Sequence, residues 1–323
     1  MARKMNPNSN IGSSGETMED MLRGELAHGD VILSTARPIL RHLLANDDHA
    51  LFSDEVIAKI RGMMVHLARQ LLFELAAELG ADDRGEFVAA RQDALATALL
   101  EDTAFLGHAH ALSIEAQLAD RLQARSGIDP VLSPLMQEMA ASDDQAIAAA
   151  AMRVVAAQAR FMQHMRRMEL PLAELPAELF HAATGALKSA MQDYQGEAAA
   201  VCDRLRNRFD ESERRIGQMT RLLMAMNQNA KRALAVDHAG LSLFSTALGM
   251  AAEQERDVVV LSLGENQSAR LAISLRAAGL GQSAVEEQFL YLHPDITLPP
   301  GFDALRADRA AELLSAAAPG SAH

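Results

Sequence analysis

The chain has no tryptophan, one cysteine and four lysines among 323 residues, and aromatic side chains make up only 4% of it. Ten Phe and two Tyr offer few faces on which bases, sugars or flavin rings can stack, which argues against functions built on such platforms. A single cysteine, Cys202, excludes an intramolecular disulfide and a cysteine metal cage, and it fits a reducing, cytoplasmic setting. No window approaches 18 uninterrupted apolar residues. Even the alanine-rich run from Ile147 to Val155 is broken by Arg153, so no transmembrane helix is expected. The polar stretch Met1 to Glu16 has two early positive charges but no apolar segment behind them, and so does not read as a secretory signal. Also missing are a Gly-x-Ser-x-Gly elbow, a Walker-type phosphate loop and a Gly-x-Gly-x-x-Gly turn.

Positive charge is in deficit as well. The 43 acidic residues outweigh 30 basic ones, for a formal charge of −13. That balance opposes a phosphate-binding footprint along nucleic acid and favours partners with basic patches. What the chain has in quantity is helix-forming, apolar material: 49% of it is hydrophobic, and 17 residues are methionine. At roughly 150 residues per domain the length suggests about two domains.

Beyond a tail predicted to be disordered over residues 1–17, apolar positions recur at three- and four-residue steps almost throughout, the mark of helices with one buried face. Helices are expected from about Thr17 to Ala27 and from Asp30 to Leu44, with Pro38 kinking or dividing the second. Ser53-Asp54-Glu55 reads as the cap of a helix to Leu79 whose stripe is Val56, Ile60, Met64, Leu67, Leu71, Leu75 and Leu79, ended by Gly80 in a left-handed conformation. Ser142 with Gln145 reads as a capping box for a further helix. A proline-flanked connector, Leu170-Pro171 to Leu175-Pro176, precedes the longest helical pattern, running to about Ala235 with interruptions expected near Gly185 and Gly196. Asp257-Val-Val-Val-Leu-Ser-Leu263 is β-branched enough for a strand, but no comparable partner strand exists, so it is read as helix. The fold class that follows is all-α: an irregular multi-helix bundle or a HEAT-like α-solenoid with a long central helix. Its expected parts are an N-terminal bundle over 18–170, a central helical region over 171–235 and a C-terminal helical subdomain over 236–323.

Within the central region Leu205, Phe209, Ile216, Met219, Leu223 and Met226 keep four-three steps and form a candidate interaction seam. A homodimer contact and packing inside the chain are equal readings of it. The stretch 201–235 is locally basic, and Arg166-Arg167 and Arg214-Arg215 read as solvated faces rather than as docking sites for an acidic partner. His108 and His110, two apart, leave a helix on different faces and lack further ligands for zinc, so a structural role is the better reading. His42, His66 and His164 sit on predicted helices. His42 and His66 are candidate phosphoryl acceptors, although a core-edge or solvated histidine is the commoner occupant of such positions. Cys202 has Arg204 and Arg206 nearby to lower its pKa, but a helix-interior cysteine is usually a small apolar filler.

Leu241-Ser-Leu-Phe-Ser-Thr-Ala-Leu248, Asp257 to Leu263, and Leu271-Ala-Ile-Ser-Leu-Arg-Ala-Ala-Gly-Leu280 together resemble an uncharacterised alphaproteobacterial family of all-helical, HEAT-like proteins. Ala36 to Leu44 and Phe52 to Ile57 are similar to such proteins too. The resemblance implies a cytoplasmic helical scaffold and supplies no catalytic, cofactor or metal residues to carry over. The functional expectation is accordingly a non-enzymatic scaffold or regulatory protein that binds another protein, as a homodimer in one reading, with neither nucleic acid nor membrane as a partner. The alternatives are a histidine phosphotransfer component and a metal- or small-molecule-binding enzyme with a site between helices.

Overall fold

The computed structural model describes residues 3–4, 17–45, 54–264 and 267–317. Most of the predicted tail and the cap residue Ser53 lie outside them. The described chain is all-α. In order its helices are α1 (Met18–Ala45), α2 (Asp54–Glu78), α3 (Arg84–Ala89), α4 (Gln92–Glu101), α5 (Thr103–Ser126), α6 (Pro134–Ala140), α7 (Gln145–Arg166) and α8 (Ala177–Ala190). There follow α9 (Gln195–Arg208), α10 (Arg215–Met226), α11 (Val236–Ala239), α12 (Leu241–Ala251), α13 (Arg256–Ser262), α14 (Ser268–Ala277), α15 (Gln282–Leu292) and α16 (Ala307–Ala316). Two-residue strands β1 (Arg3–Lys4) and β2 (Ile296–Thr297) pair in parallel. The β-branched run 257–263 is helical, as read from the sequence.

The chain divides into two compact units. One comprises residues 1–36, 117–152 and 222–323, and the other residues 37–116 and 153–221. In the first unit α12 is the hub, with all nine residues from Leu241 to Gly249 buried. A helix buried on every side must dispose of its polar groups internally. Ser245 and Thr246 do so by donating their hydroxyls to the carbonyls four residues back, at 2.8 and 2.9 Å. Around α12 pack α11, α13, α14 and the 3-10 segment Asn227–Leu234. In the second unit α2 is the hub, packed by α3, α4, α8 and α9. Its stripe forms as expected: Ile60, Met64, Leu67, Leu71 and Leu75 have no exposed surface. Gly80 (φ +64) closes the helix, with the Ala81 N–H reaching back to the Ala76 carbonyl.

Several expectations are corrected. The first helix is continuous through residues 28–30, and Pro38 lies inside it without dividing it. The N-cap of α7 is Asp144, whose Oδ1 accepts from the Ala146 and Ile147 amides, while Ser142 accepts only from the Asp144 amide. The long central helix does not exist as one element: residues 177–226 form α8, α9 and α10, separated by 3-10 turns at Gln192–Tyr194 and Glu211–Glu213. The first break falls two residues before Gly196, near where an interruption is expected, whereas no break falls near Gly185, which lies inside α8. The second break has one local and one tertiary cause. Asp210 accepts from the Ser212 amide at 2.9 Å, and Glu174 accepts from the Arg215 amide at 3.0 Å, so a new helix N-terminus is capped where an uninterrupted helix would have run on. The returning turn then lies so close to α10 that a Cβ on Gly217 would stand 2.5 Å from the Glu211 carbonyl oxygen.

Candidate functional site

A polar arrangement on the second unit is built where the end of α7 meets the middle of α2. Helix α7 closes in a Schellman arrangement: the Glu169 N–H reaches the His164 carbonyl at 2.9 Å and the Met168 N–H the Met165 carbonyl at 3.3 Å. This geometry places the residue before Glu169 in the left-handed region, normally a glycine position, and Met168 occupies it at φ 58. The turn lies against α2 at Gly62, where an added Cβ would stand 2.5 Å from the Met168 Cβ. One turn further along the same face of α2 comes His66, then Gln70.

These two side chains hold the backbone that leaves the turn. Gln70 donates to the Leu170 carbonyl and accepts from the Leu172 amide, both at 2.9 Å, as a neighbouring strand would. His66 Nδ1 lies 2.9 Å from the same Leu170 oxygen. A carbonyl oxygen only accepts, so Nδ1 carries the proton, and in the neutral ring Nε2 carries the lone pair. The 3.0 Å approach of Gln70 Nε2 to Nδ1 is then a contact of two donors that share one acceptor. His66 is half-buried. Beside it, His164 Nδ1 donates to Glu169 Oε2 at 2.9 Å. The hydrogen bond from His164 holds the Glu169 carboxyl below its ordinary range, and the nearby charges of His66, His164 and Arg167 act in the same direction.

The other residues singled out from the sequence are dispersed. His42 lies in α1, and its side chain is outside the described residues. His108 is buried and His110 half-buried on α5, and burial pushes the pKa of His110 down to about 4, so it is neutral at physiological pH. Cys202 is fully buried, with Sγ 3.3 Å from the Thr184 carbonyl. Burial raises its thiol pKa, outweighing the nearby cations Lys188 and Arg206, so it is the inert filler and not an activated nucleophile. Of the seam, Leu205 lies on α9, half-buried. Phe209 follows that helix and stacks on Phe180 at 4.1 Å between ring centroids. Ile216, on α10, is half-buried, and Met219, Leu223 and Met226 are buried within the chain. The six therefore do not share one helix.

Arg214 and Arg215 are buried rather than solvated, which the sequence reading missed. Arg215 makes a two-pronged ion pair with the fully buried Glu115, at 2.7 and 2.9 Å, and also donates to Gln158. Its guanidinium lies 3.7 Å from the Phe161 ring centre. The basic stretch is largely spent in this way: Arg204 pairs with Glu74 and Glu78, Arg206 with Asp203, Arg214 with Glu211, Arg221 with Glu213 and Arg232 with Glu138. Little of its charge is left to attract an acidic ligand.

Among the described residues no group of three or more His, Cys, Asp or Glu side chains is placed to hold a metal ion, and no helix is long and apolar enough to cross a membrane. No protein-family model matches the chain, and no curated protein or solved structure is significantly similar to it.

Proposed function

We propose that the chain is a non-enzymatic scaffold or regulatory protein that binds another protein through helix faces of its first unit. The observation that carries this reading is the distribution of exposed apolar side chains. Eight large ones are exposed among the described residues, and six of them (Val31, Leu132, Met152, Met224, Met250 and Leu290) belong to that unit. Leu290 and Met224 are 66% and 64% exposed. Complete burial of a side chain of this size is worth about 1.5–3 kcal/mol, and a partner surface recovers the part that these half-exposed side chains forgo. Methionine, unbranched and polarizable, suits such contacts because it adapts to the shape of what covers it. The formal charge of −13 favours a partner with basic patches, and a second copy of the chain is a further candidate. A HEAT-like stacking of helix pairs belongs to the same reading, supported by the packing of α11 to α15 on their sequence neighbours. So does a cytoplasmic location, in keeping with one buried, unpaired thiol.

The test is paired capture of the full chain and of a Met224→Asp/Leu290→Asp variant from the source cells. Both positions are exposed, so the variant is expected to melt like the parent. A stoichiometric protein recovered with the parent and lost with the variant supports the reading. Equal recovery with both, or no protein with either, contradicts it.

A further inference from the structure

The α7–α2 junction has a feature that protein binding does not use: an imidazole whose tautomer is fixed by the backbone. We propose that His66 Nε2 is a phosphoryl-accepting nucleophile. The donor class is an acyl phosphate or phosphoramidate, whose leaving group departs without help from a protein acid.

Three observations carry this. First, the Leu170 carbonyl holds the Nδ1 proton at 2.9 Å, so the lone pair of the neutral ring is on Nε2, which makes no hydrogen bond among the described residues. Second, the ring cannot easily flip. Gln70 binds the same carbonyl and the Leu172 amide, and the turn behind them is clamped to α2 at Gly62. Third, the open face of α2 continues into groups suited to an incoming donor. Arg69 is exposed one turn on, makes no ion pair among the described residues and can offset phosphoryl charge, while Phe73, a turn beyond, is 40% exposed. The nearby carboxylate of Glu169 is already engaged by His164.

In the step itself the Nε2 lone pair attacks phosphorus. The N–P bond forms as the bond from phosphorus to the leaving group breaks, and that bond's electron pair departs with the leaving group. The ring becomes an imidazolium that keeps its Nδ1 proton on Leu170, so no proton has to leave His66 during transfer. Leu170 and Gln70 are positioning groups, and His66 alone touches the reacting atom.

The test is incubation of the full chain with phosphoramidate, followed by intact mass, peptide mapping and 31P NMR. With 11 histidines in the chain, the others serve as internal controls. The expected result is one acid-labile phosphoryl group, on Nε2 of His66, lost in His66→Gln. In Gln70→Ala the product shifts towards a mixture of Nε2 and Nδ1 isomers, and in Arg69→Ala the reaction slows several-fold. A purely structural His66 predicts none of these shifts. Modification spread evenly over exposed histidines, an Nδ1 product on the parent chain, or no modification overturns the proposal.

Discussion

Arg215 shows how much a single side chain can carry here. Its guanidinium and the Glu115 carboxylate are both sealed from water, so each relies on the other for the solvation it has lost. Arg215→Met is expected to destabilise the fold by about 3–5 kcal/mol, and Arg215→Met with Glu115→Leu to restore much of that, as read by urea unfolding. Additive losses in the double variant would contradict the coupling. Met168 is the opposite case, a residue in a conformation suited to glycine. Met168→Gly is expected to raise stability by about 1 kcal/mol, visible as a higher Tm, while Gly62→Ala lowers it by forcing the turn off α2. Among the described groups that shape the acid response are His110 and Glu169. His110 has a folded-state pKa of about 4 against an ordinary 6.5, so the unfolded chain takes up its proton first. The contribution of His110 is expected to be complete above pH 6.5 and to be lost from there towards pH 4, with a shallower slope in His110→Phe. Glu169 has a folded value below its ordinary 4.5, so its contribution is present above that pH and is lost as pH falls through the lower folded value. In Glu169→Gln that most acidic part of the profile flattens.

Elements differ in how far they can be read from their own sequence. Helix α2 is legible because everything that makes it is local: Ile60, Met64, Leu67, Leu71 and Leu75 repeat at helical steps, and Gly80 supplies the stop. The α9–α10 break is only partly so: Asp210 capping the Ser212 amide is local, but the cap on the new helix comes from a distant part of the chain. Nothing within residues 205–226 announces that Glu174 will cap the Arg215 amide, 41 residues away in the chain, or that Gly217 will face the Glu211 carbonyl. A heptad-like rhythm therefore reads as one helix through a point where the helix is broken. Gly217→Ala is expected to lower stability by about 1–3 kcal/mol through overpacking, and to speed amide exchange over residues 209–217 ahead of the rest of α10. Unchanged exchange there would mean that the turn does not depend on the close approach. The candidate site is legible by halves. His66 stands out as a histidine on a helix beside the core stripe, but its partner is a backbone carbonyl 104 residues away, which has no signature in sequence. The pairing of His164 with Glu169 is likewise hidden, since a five-residue spacing brings side chains together only when the helix ends in a Schellman turn between them.

At the scale of the whole molecule, the all-α class follows from composition and periodicity, and the function rests on what the surface presents. The interior satisfies most of its own polar groups, and the basic stretch is neutralised within the chain. The most exposed large apolar side chains, Leu290, Met224, Val31 and Met152, all belong to the first unit. That surface is what the proposal of a partner-binding protein rests on, and it makes the composition of the material isolated from cells the decisive quantity. The direct measurement is native mass spectrometry of the full chain purified gently from its source cells. A complex of the 34.8 kDa chain with a second polypeptide, or with another copy of itself, in fixed stoichiometry is the predicted result. The bare chain at its own mass, or the chain carrying only a small molecule, would contradict the account.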